Sequence, residues 1–213
     1  PSESPLFNRA VLGRYELGST FKIFTAAQAM EMGLASPETI IDTRPPLRVG
    51  GWPVSEFRNH NYGEISLEQV IVKSSNRGTA RVAMMFGAEA QQDFLRSLGF
   101  FEPLPVELVE ARNTKPLLPS VWRESDLVTI SYGHTLAASP MHLAAAYATI
   151  ANGGRRVAPT LLRQDHPREG IRVMREQVAH ASVNMLRKVV TEGTASFGEV
   201  DGYYVAGKTG TAD

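Results

Sequence analysis

Cysteine is absent from the 213 residues, so no disulfide and no thiolate metal site can form. That absence suits reducing and oxidising compartments alike and selects neither. No excess of charge exists either: 22 Lys and Arg balance 22 Asp and Glu, which removes the basic footprint of a nucleic-acid binder. Long hydrophobic runs are missing. A stretch such as Leu143 to Ala151 falls far short of the roughly 18 residues a membrane span needs, and no charged-then-apolar signal pattern opens the chain. The histidines at 60, 134, 142, 166 and 180 show no metal-ligand spacing, so no metal is expected and each reads as structural or surface. Neither a fixed-period repeat nor a Gly/Ser linker divides the sequence. With 43% hydrophobic residues it is long enough for one real core, and residues 1–213 read as one domain.

What is present is a set of three motifs in order: Ser19-Thr20-Phe21-Lys22, Ser74-Ser75-Asn76 and Lys208-Thr209-Gly210-Thr211. A serine hydroxyl is a poor nucleophile until a base takes its proton, and a lysine one helical turn away can do so if it is itself neutral. The second serine can relay the proton. A Lys-Thr-Gly strand supplies positive charge and hydroxyl donors for an anionic substrate, and its glycine leaves room for close backbone approach. At this composition Ser-x-x-Lys is expected by chance about a third of a time and Ser-x-Asn about half a time, and a second Ser-x-Asn does occur at Ser182-Val183-Asn184. Lys-Thr-Gly is expected only about 0.03 times, which makes it the informative member.

Helix signals dominate the chain. A run from Gly18-Ser19 through Phe21, Ile23, Phe24, Ala27 and Met30 to Gly33 predicts a helix with Ser19 at its N-terminus, where the dipole favours an oxyanion. Arg44 to Gly63 reads as a hairpin or loop, followed by a short helix capped by Ser66, with Ser74-Ser75-Asn76 just after it. Residues 79–98 predict two helices broken at Gly87. Pro103, Pro105, Pro116 and Pro119 then punctuate an irregular segment able to rim a cleft. Ser139-Pro140 starts a helix stopped by Asn152-Gly153-Gly154, strands are expected over Arg156 to Leu162 and Ile171 to Met174, an amphipathic helix near Gln177 to Val190, and a strand over Tyr203 to Thr209.

Blander readings compete. Ser19 alone is an ordinary N-cap and Lys22 an ordinary helical lysine; Ser74 and Asn76 alone are ordinary polar residues at a helix end. The coincidence of all three motifs reverses that weighting. Ser182-Val183-Asn184 lies inside a helical pattern and is assigned no function. Gly202 to Thr209 also fits the P-loop pattern, but the Tyr203-Tyr204-Val205 interior is strand-like and too little chain follows for a phosphate-binding helix.

The motif trio is that of penicillin-binding proteins and serine β-lactamases. Tyr15-Glu16-Leu17-Gly18-Ser19-Thr20-Phe21-Lys22, Lys73-Ser74-Ser75-Asn76, Ser139-Pro140-Met141-His142-Leu143-Ala144-Ala145-Ala146-Tyr147 with Asn152-Gly153-Gly154, Glu192-Gly193-Thr194-Ala195 and Val205 to Ala212 together resemble a class B penicillin-binding protein. The Tyr-Glu before Gly-Ser-Thr-Phe-Lys is similar to the division-specific, septal transpeptidase. Leu17 departs from the family's usual proline, and Tyr132-Gly133-His134 resembles the Tyr-Gly-Asn of class D β-lactamases with His in place of Asn.

This resemblance implies an α+β fold, a helix-rich body with an antiparallel sheet, here incomplete: anchor, pedestal and flanking strands would lie outside the 213 residues. It implies a serine D,D-transpeptidase that cross-links peptidoglycan stem peptides and is acylated by β-lactams. Ser19 would be the nucleophile, Lys22 its base, Ser74 the relay, Asn76 the holder of the substrate amide, and Lys208, Thr209, Gly210 and Thr211 the substrate-binding edge. Lys22 would need a pKa far below the usual 10.4 or so, which burial and Lys208 nearby would favour. No cofactor is implied. The expected partners are the stem peptide, β-lactams, a division-type glycan polymerase and other divisome proteins, at the periplasmic face of the inner membrane. Two alternatives stay open: a β-lactamase-like hydrolase, revealed by drug turnover, and a non-catalytic penicillin-recognising sensor or division scaffold, revealed by stable acylation without cross-linking.

Overall fold

Helices account for most of the regular secondary structure in the computed structural model, which describes residues 6–166 and 168–211. They are α1 (Lys22–Glu31), α2 (Leu67–Val72), α3 (Asn76–Leu98), α4 (Glu124–Ser131), α5 (Pro140–Ala151) and α6 (Glu176–Thr191). Short strands β1 (Tyr15–Glu16), β2 (Ile40–Asp42), β3 (Arg48–Val49), β4 (Trp52–Pro53), β5 (Glu64–Ser66), β6 (Ala137–Ala138), β7 (Arg155–Arg156) and β8 (Ile171–Arg172) lie between them. These pair antiparallel as β1–β6, β2–β5, β3–β4 and β7–β8, so the described residues hold four two-stranded pairs rather than one sheet. No helix among the described residues is long and apolar enough to cross a membrane.

The core is built around α1, in which every residue from Lys22 to Met30 is buried. Ala26, Ala27 and Ala29 keep the helix thin enough for α3 and α6 to pack against it. Phe21, Phe24 and Phe100 meet edge to face at 5.1–5.8 Å between ring centres, and Tyr147 of α5 adds a fourth ring against Phe24. Each such buried aromatic is worth about 1.5–3 kcal/mol in burial, with about 0.5–1.5 more from ring geometry.

Several expectations hold in detail. Ser66 Oγ accepts the Gln69 N–H at 3.2 Å and caps α2; Ser139 Oγ accepts the His142 N–H at 3.3 Å with Pro140 opening α5. The break at Gly87 is present as a φ of 78° inside α3. Ser182 donates to the Val178 carbonyl within α6, the structural role read from its setting.

Others need correction. The serine turn is not the first turn of an α-helix: Gly18–Phe21 form a tighter 3₁₀ turn, and α1 begins only at Lys22. Helix α3 starts three residues earlier than expected because Ser75 caps it, accepting the Gly78 N–H at 2.9 Å. The strand expected over Arg156 to Leu162 pairs only at Arg155–Arg156. Beyond it Pro159 has no N–H to offer, while the Thr160 hydroxyl and Leu161 N–H donate to the Glu107 carboxylate at 2.7 and 2.9 Å instead of to a neighbouring strand. Strand β8 ends at Arg172, after which the Val173 and Met174 N–H groups both turn to the Gly154 carbonyl. The start of the Pro-rich segment does rim a cavity, as expected: one of about 170 Å³ lined by Leu98, Pro103 and Pro105, separate from the cleft of Ser19. Tyr203 to Thr209 pairs with no strand among the described residues; it runs beside α6, with the Gly207 N–H donating to Leu186 O at 3.1 Å and Arg187 donating to Val205 O at 2.8 Å.

Candidate active site

Ser19 sits in a turn pinned by two backbone segments, at Gly133 and at residues 210–211, and by the Tyr147 side chain. Gly18 has φ +54°, donates its N–H to the Gly133 carbonyl at 3.0 Å, and lies so close to Thr211 that an added Cβ would stand 2.3 Å from the Thr211 carbonyl oxygen. A Cβ on Gly210 would meet the Thr20 methyl at 2.7 Å and the Leu17 carbonyl at 3.1 Å. A side chain on the Lys-Thr-Gly glycine would therefore crowd the serine turn itself. From the other side Tyr147 Oη donates to the Thr20 carbonyl at 2.7 Å, and burial raises that phenol's pKa, keeping it a donor.

Lys22 follows on the first residue of α1 and is 0% exposed. Its Nζ donates to the Ser74 carbonyl at 2.6 Å and to Ser74 Oγ at 3.1 Å. Burial, then repulsion from Lys208, lower its pKa to about 7, with Glu56 acting in the opposite sense. Lys208 Nζ donates to the same Ser74 Oγ at 2.9 Å, and burial lowers its pKa to about 8. Two amines thus share one hydroxyl, and near neutral pH each is within reach of losing its proton. Ser74 itself is a non-glycine residue at φ 59°, a single left-handed link between α2 and α3. Among the described residues Ser19 Oγ has no hydrogen-bond partner.

All eight residues expected at the site fall in one region. Ser19, Ser74, Asn76, Thr209, Gly210 and Thr211 line a cleft of about 600 Å³, with Lys22 and Lys208 joined to it through Ser74. Asn76 commits Nδ2 to the Ser55 carbonyl at 2.8 Å, which leaves Oδ1 as its free acceptor. Thr209 Oγ1 is 2.8 Å from Thr194 Oγ1, so the Glu192 to Ala195 motif braces the Lys208–Thr211 edge.

Three residues escaped sequence reasoning. Glu56, 5% exposed, accepts from the Ser75 hydroxyl, from the Asn76 N–H at 2.8 Å and from the Arg77 N–H at 3.0 Å. His134 lines the cleft, its Nδ1 2.6 Å from Glu16, whose other oxygen accepts the Thr135 N–H at 2.8 Å. Glu16 and His134 stood within quoted motifs, yet nothing in their spacing announces a pair 118 residues apart. His142, by contrast, is the structural histidine expected: buried, with Nδ1 2.7 Å from Ser139 Oγ and Nε2 donating to the Glu102 carbonyl at 3.0 Å.

Residues 1–213 match the family described as the penicillin binding protein transpeptidase domain. The chain is 34% identical over 212 residues to a probable peptidoglycan D,D-transpeptidase FtsI of Caulobacter vibrioides, covering 97% of this chain and 35% of that protein. It is 33% identical to penicillin-binding protein PbpB of Mycolicibacterium smegmatis, covering 96% of this chain and 34% of the relative. The apo structure of the TP domain of Burkholderia pseudomallei penicillin-binding protein 3 superposes with a TM-score of 0.90 at 31% identity, covering 97% of this chain and 63% of that one. The chain thus spans about a third of the length of the curated relatives it matches. The chain has the fold of that transpeptidase domain and belongs to the penicillin-binding protein transpeptidase family.

Proposed function

We propose that this chain carries the acyl-transfer site of a serine peptidoglycan D,D-transpeptidase of the septal type, acylated by β-lactams. The observation that carries the reading is the Lys22–Ser74–Lys208 cluster beside Ser19, in which burial brings a lysine amine to a pKa of about 7. Neutral Lys22 accepts the Ser19 hydroxyl proton as Oγ attacks the carbonyl of the penultimate D-Ala. The oxyanion is met by the backbone N–H groups of Ser19 and Thr211. Ser74 passes a proton to the departing amine of the terminal D-Ala, and the C–N bond breaks. An amine from a second stem then attacks the acyl-enzyme, forming the cross-link and releasing Ser19. Asn76 Oδ1 holds the substrate amide, while Lys208, Thr209 and Thr211 meet the terminal carboxylate. The relatives' names, a peptidoglycan D,D-transpeptidase FtsI and a penicillin-binding protein PbpB, support the transpeptidase reading; the division role, a periplasmic, membrane-anchored setting and a glycan polymerase as partner belong to the same proposal.

Fluorescent penicillin tests the assignment. Wild-type protein is expected to be labelled on Ser19, and Ser19→Ala to lose the label entirely. An adduct located by mass spectrometry on Ser74 or Ser182 instead would remove Ser19 from the role.

A further inference from the structure

Ser74 poses a problem that its own sequence does not solve. A left-handed conformation costs a residue other than glycine on the order of 1–2 kcal/mol, so surrounding structure must impose it. On the N-terminal side the Ser74 and Ser75 N–H groups close the end of α2, donating to Ile71 O at 3.1 Å and Val70 O at 2.9 Å. On the C-terminal side the next three residues are all gripped by one carboxylate, that of Glu56. Its neighbour Ser55 accepts from Asn76 Nδ2, and Arg77 donates onward to Thr43 O and His60 O, both at 2.6 Å. The left-handed link presents both the carbonyl and the hydroxyl of Ser74 to Lys22.

We propose that Glu56 is a positioning residue for acyl transfer: by gripping Ser75, Asn76 and Arg77 at the first turn of α3, its buried carboxylate holds the Ser74 hydroxyl between Lys22 and Lys208 and the Asn76 amide on the cleft wall. The proposal rests on the transpeptidase reading but makes a claim of its own. Glu56 touches neither nucleophile nor substrate edge in the structure; it acts through α3. It also sets part of the field on the base, because its negative charge opposes the effects of burial and of Lys208 on Lys22. Arg77, with Nε 4.0 Å away, and Tyr62 face Glu56 from α3 and from the loop, while Lys208 faces Lys22 from the C-terminal segment. Lys73, His60 and His134 stand further out on the cleft wall.

Two variants separate positioning from mere stability. Glu56→Gln keeps the shape but removes the charge and aims an NH₂ at N–H donors; its penicillin acylation rate is expected to fall about 10- to 100-fold, the scale of a small misplacement near the chemistry. Its rate should also rise at lower pH than in wild type, because Lys22 loses the anion that favours its charged form. Glu56→Asp keeps the charge on a side chain one methylene shorter, so the pH limb should return to its wild-type position while the plateau recovers only in part. A Glu56→Gln protein with lower melting temperature but an unchanged rate per active molecule and an unchanged pH limb would overturn the proposal. Should Glu56→Gln fail to fold, a full wild-type plateau in Glu56→Asp would overturn it equally. Titration of Lys22 followed by NMR at its ¹³Cε, in the same proteins without penicillin, gives the answer independently of acylation: an unshifted curve in Glu56→Gln counts against it. Failure of wild-type labelling would count against the transpeptidase reading alone.

Discussion

A lysine with no exposed surface is costly to keep charged, and in the proposed mechanism that cost is what makes Lys22 a base. Its pKa of about 7, against an ordinary value near 10.4, means that the unfolded chain binds the extra proton more readily between those limits. The penalty on folding is therefore full below about pH 7 and fades as pH climbs towards about 10.4, where both states are neutral. Lys22→Met should consequently melt at a higher temperature than wild type at pH 6, by an amount worth a few kcal/mol at most, with the gain shrinking by pH 10 in thermal scans. The same variant should acylate at least about a hundredfold more slowly, as loss of a general base typically does. In wild type the acylation rate should rise through about pH 7 as Lys22 becomes neutral and fall above about pH 8 as Lys208 loses its charge, the two amines titrating as a pair. A flat profile would show that neither lysine governs the step. Ser19, Lys22 and Lys208 were legible as candidates, which the fold brings together, because the chemistry proposed for them is written in side-chain type and short spacing. Glu56 was not, since a carboxylate in a loop announces itself only once Ser75, Asn76 and Arg77 close around it.

Elements show a different boundary between what a sequence states and what it leaves open. Helices α2, α5 and α6 were readable from caps and periodicity, because their stabilising contacts repeat every three or four residues. Strands were legible only in part, as in the β3–β4 hairpin and the start of β8, because a strand exists only where a partner backbone accepts its N–H groups; β7 ends where Thr160 and Leu161 prefer Glu107. The serine turn lies between these cases. Its motif was plain, but its 3₁₀ form depends on the backbones of Gly133 and Thr211, remote in sequence. Gly18→Ala tests that dependence. The new methyl group would overlap the Thr211 carbonyl and demand a left-handed backbone of alanine, so the serine turn and the Lys208–Thr211 segment must separate. Stability should drop by about 1–3 kcal/mol in denaturant titration, and penicillin labelling should fall about tenfold or more with the helical circular dichroism retained. Labelling at the wild-type rate would mean that this contact does not set the geometry.

At the scale of the whole molecule, the two halves of the site rest on supports of unequal strength. Lys22 and Ser74 are fixed by the packed helices α1, α2 and α3, with Ser19 on the turn leading into α1 and α6 tied to α2 through Lys188 and Glu68 at 2.6 Å. The Lys208–Thr211 edge is held by side chains and single backbone contacts: Lys208 to Ser74, Thr209 to Thr194, Gly207 to Leu186. Tyr203 and Tyr204 beside it are largely exposed, and no strand among the described residues pairs with this segment. An unpaired segment has backbone groups free to move, and oxyanion donors lose effect with displacements of about 1 Å. The 213-residue chain should therefore give a helix-rich circular dichroism spectrum and a cooperative melt, yet be acylated by penicillin at least about tenfold more slowly than a version extended at both ends to the length of its relatives. Hydrogen exchange should place the difference at residues 203–211, with α1 and α3 protected alike in both proteins. Equal acylation rates would show that the contacts of Ser74, Thr194 and Leu186 suffice to hold the edge against the serine turn.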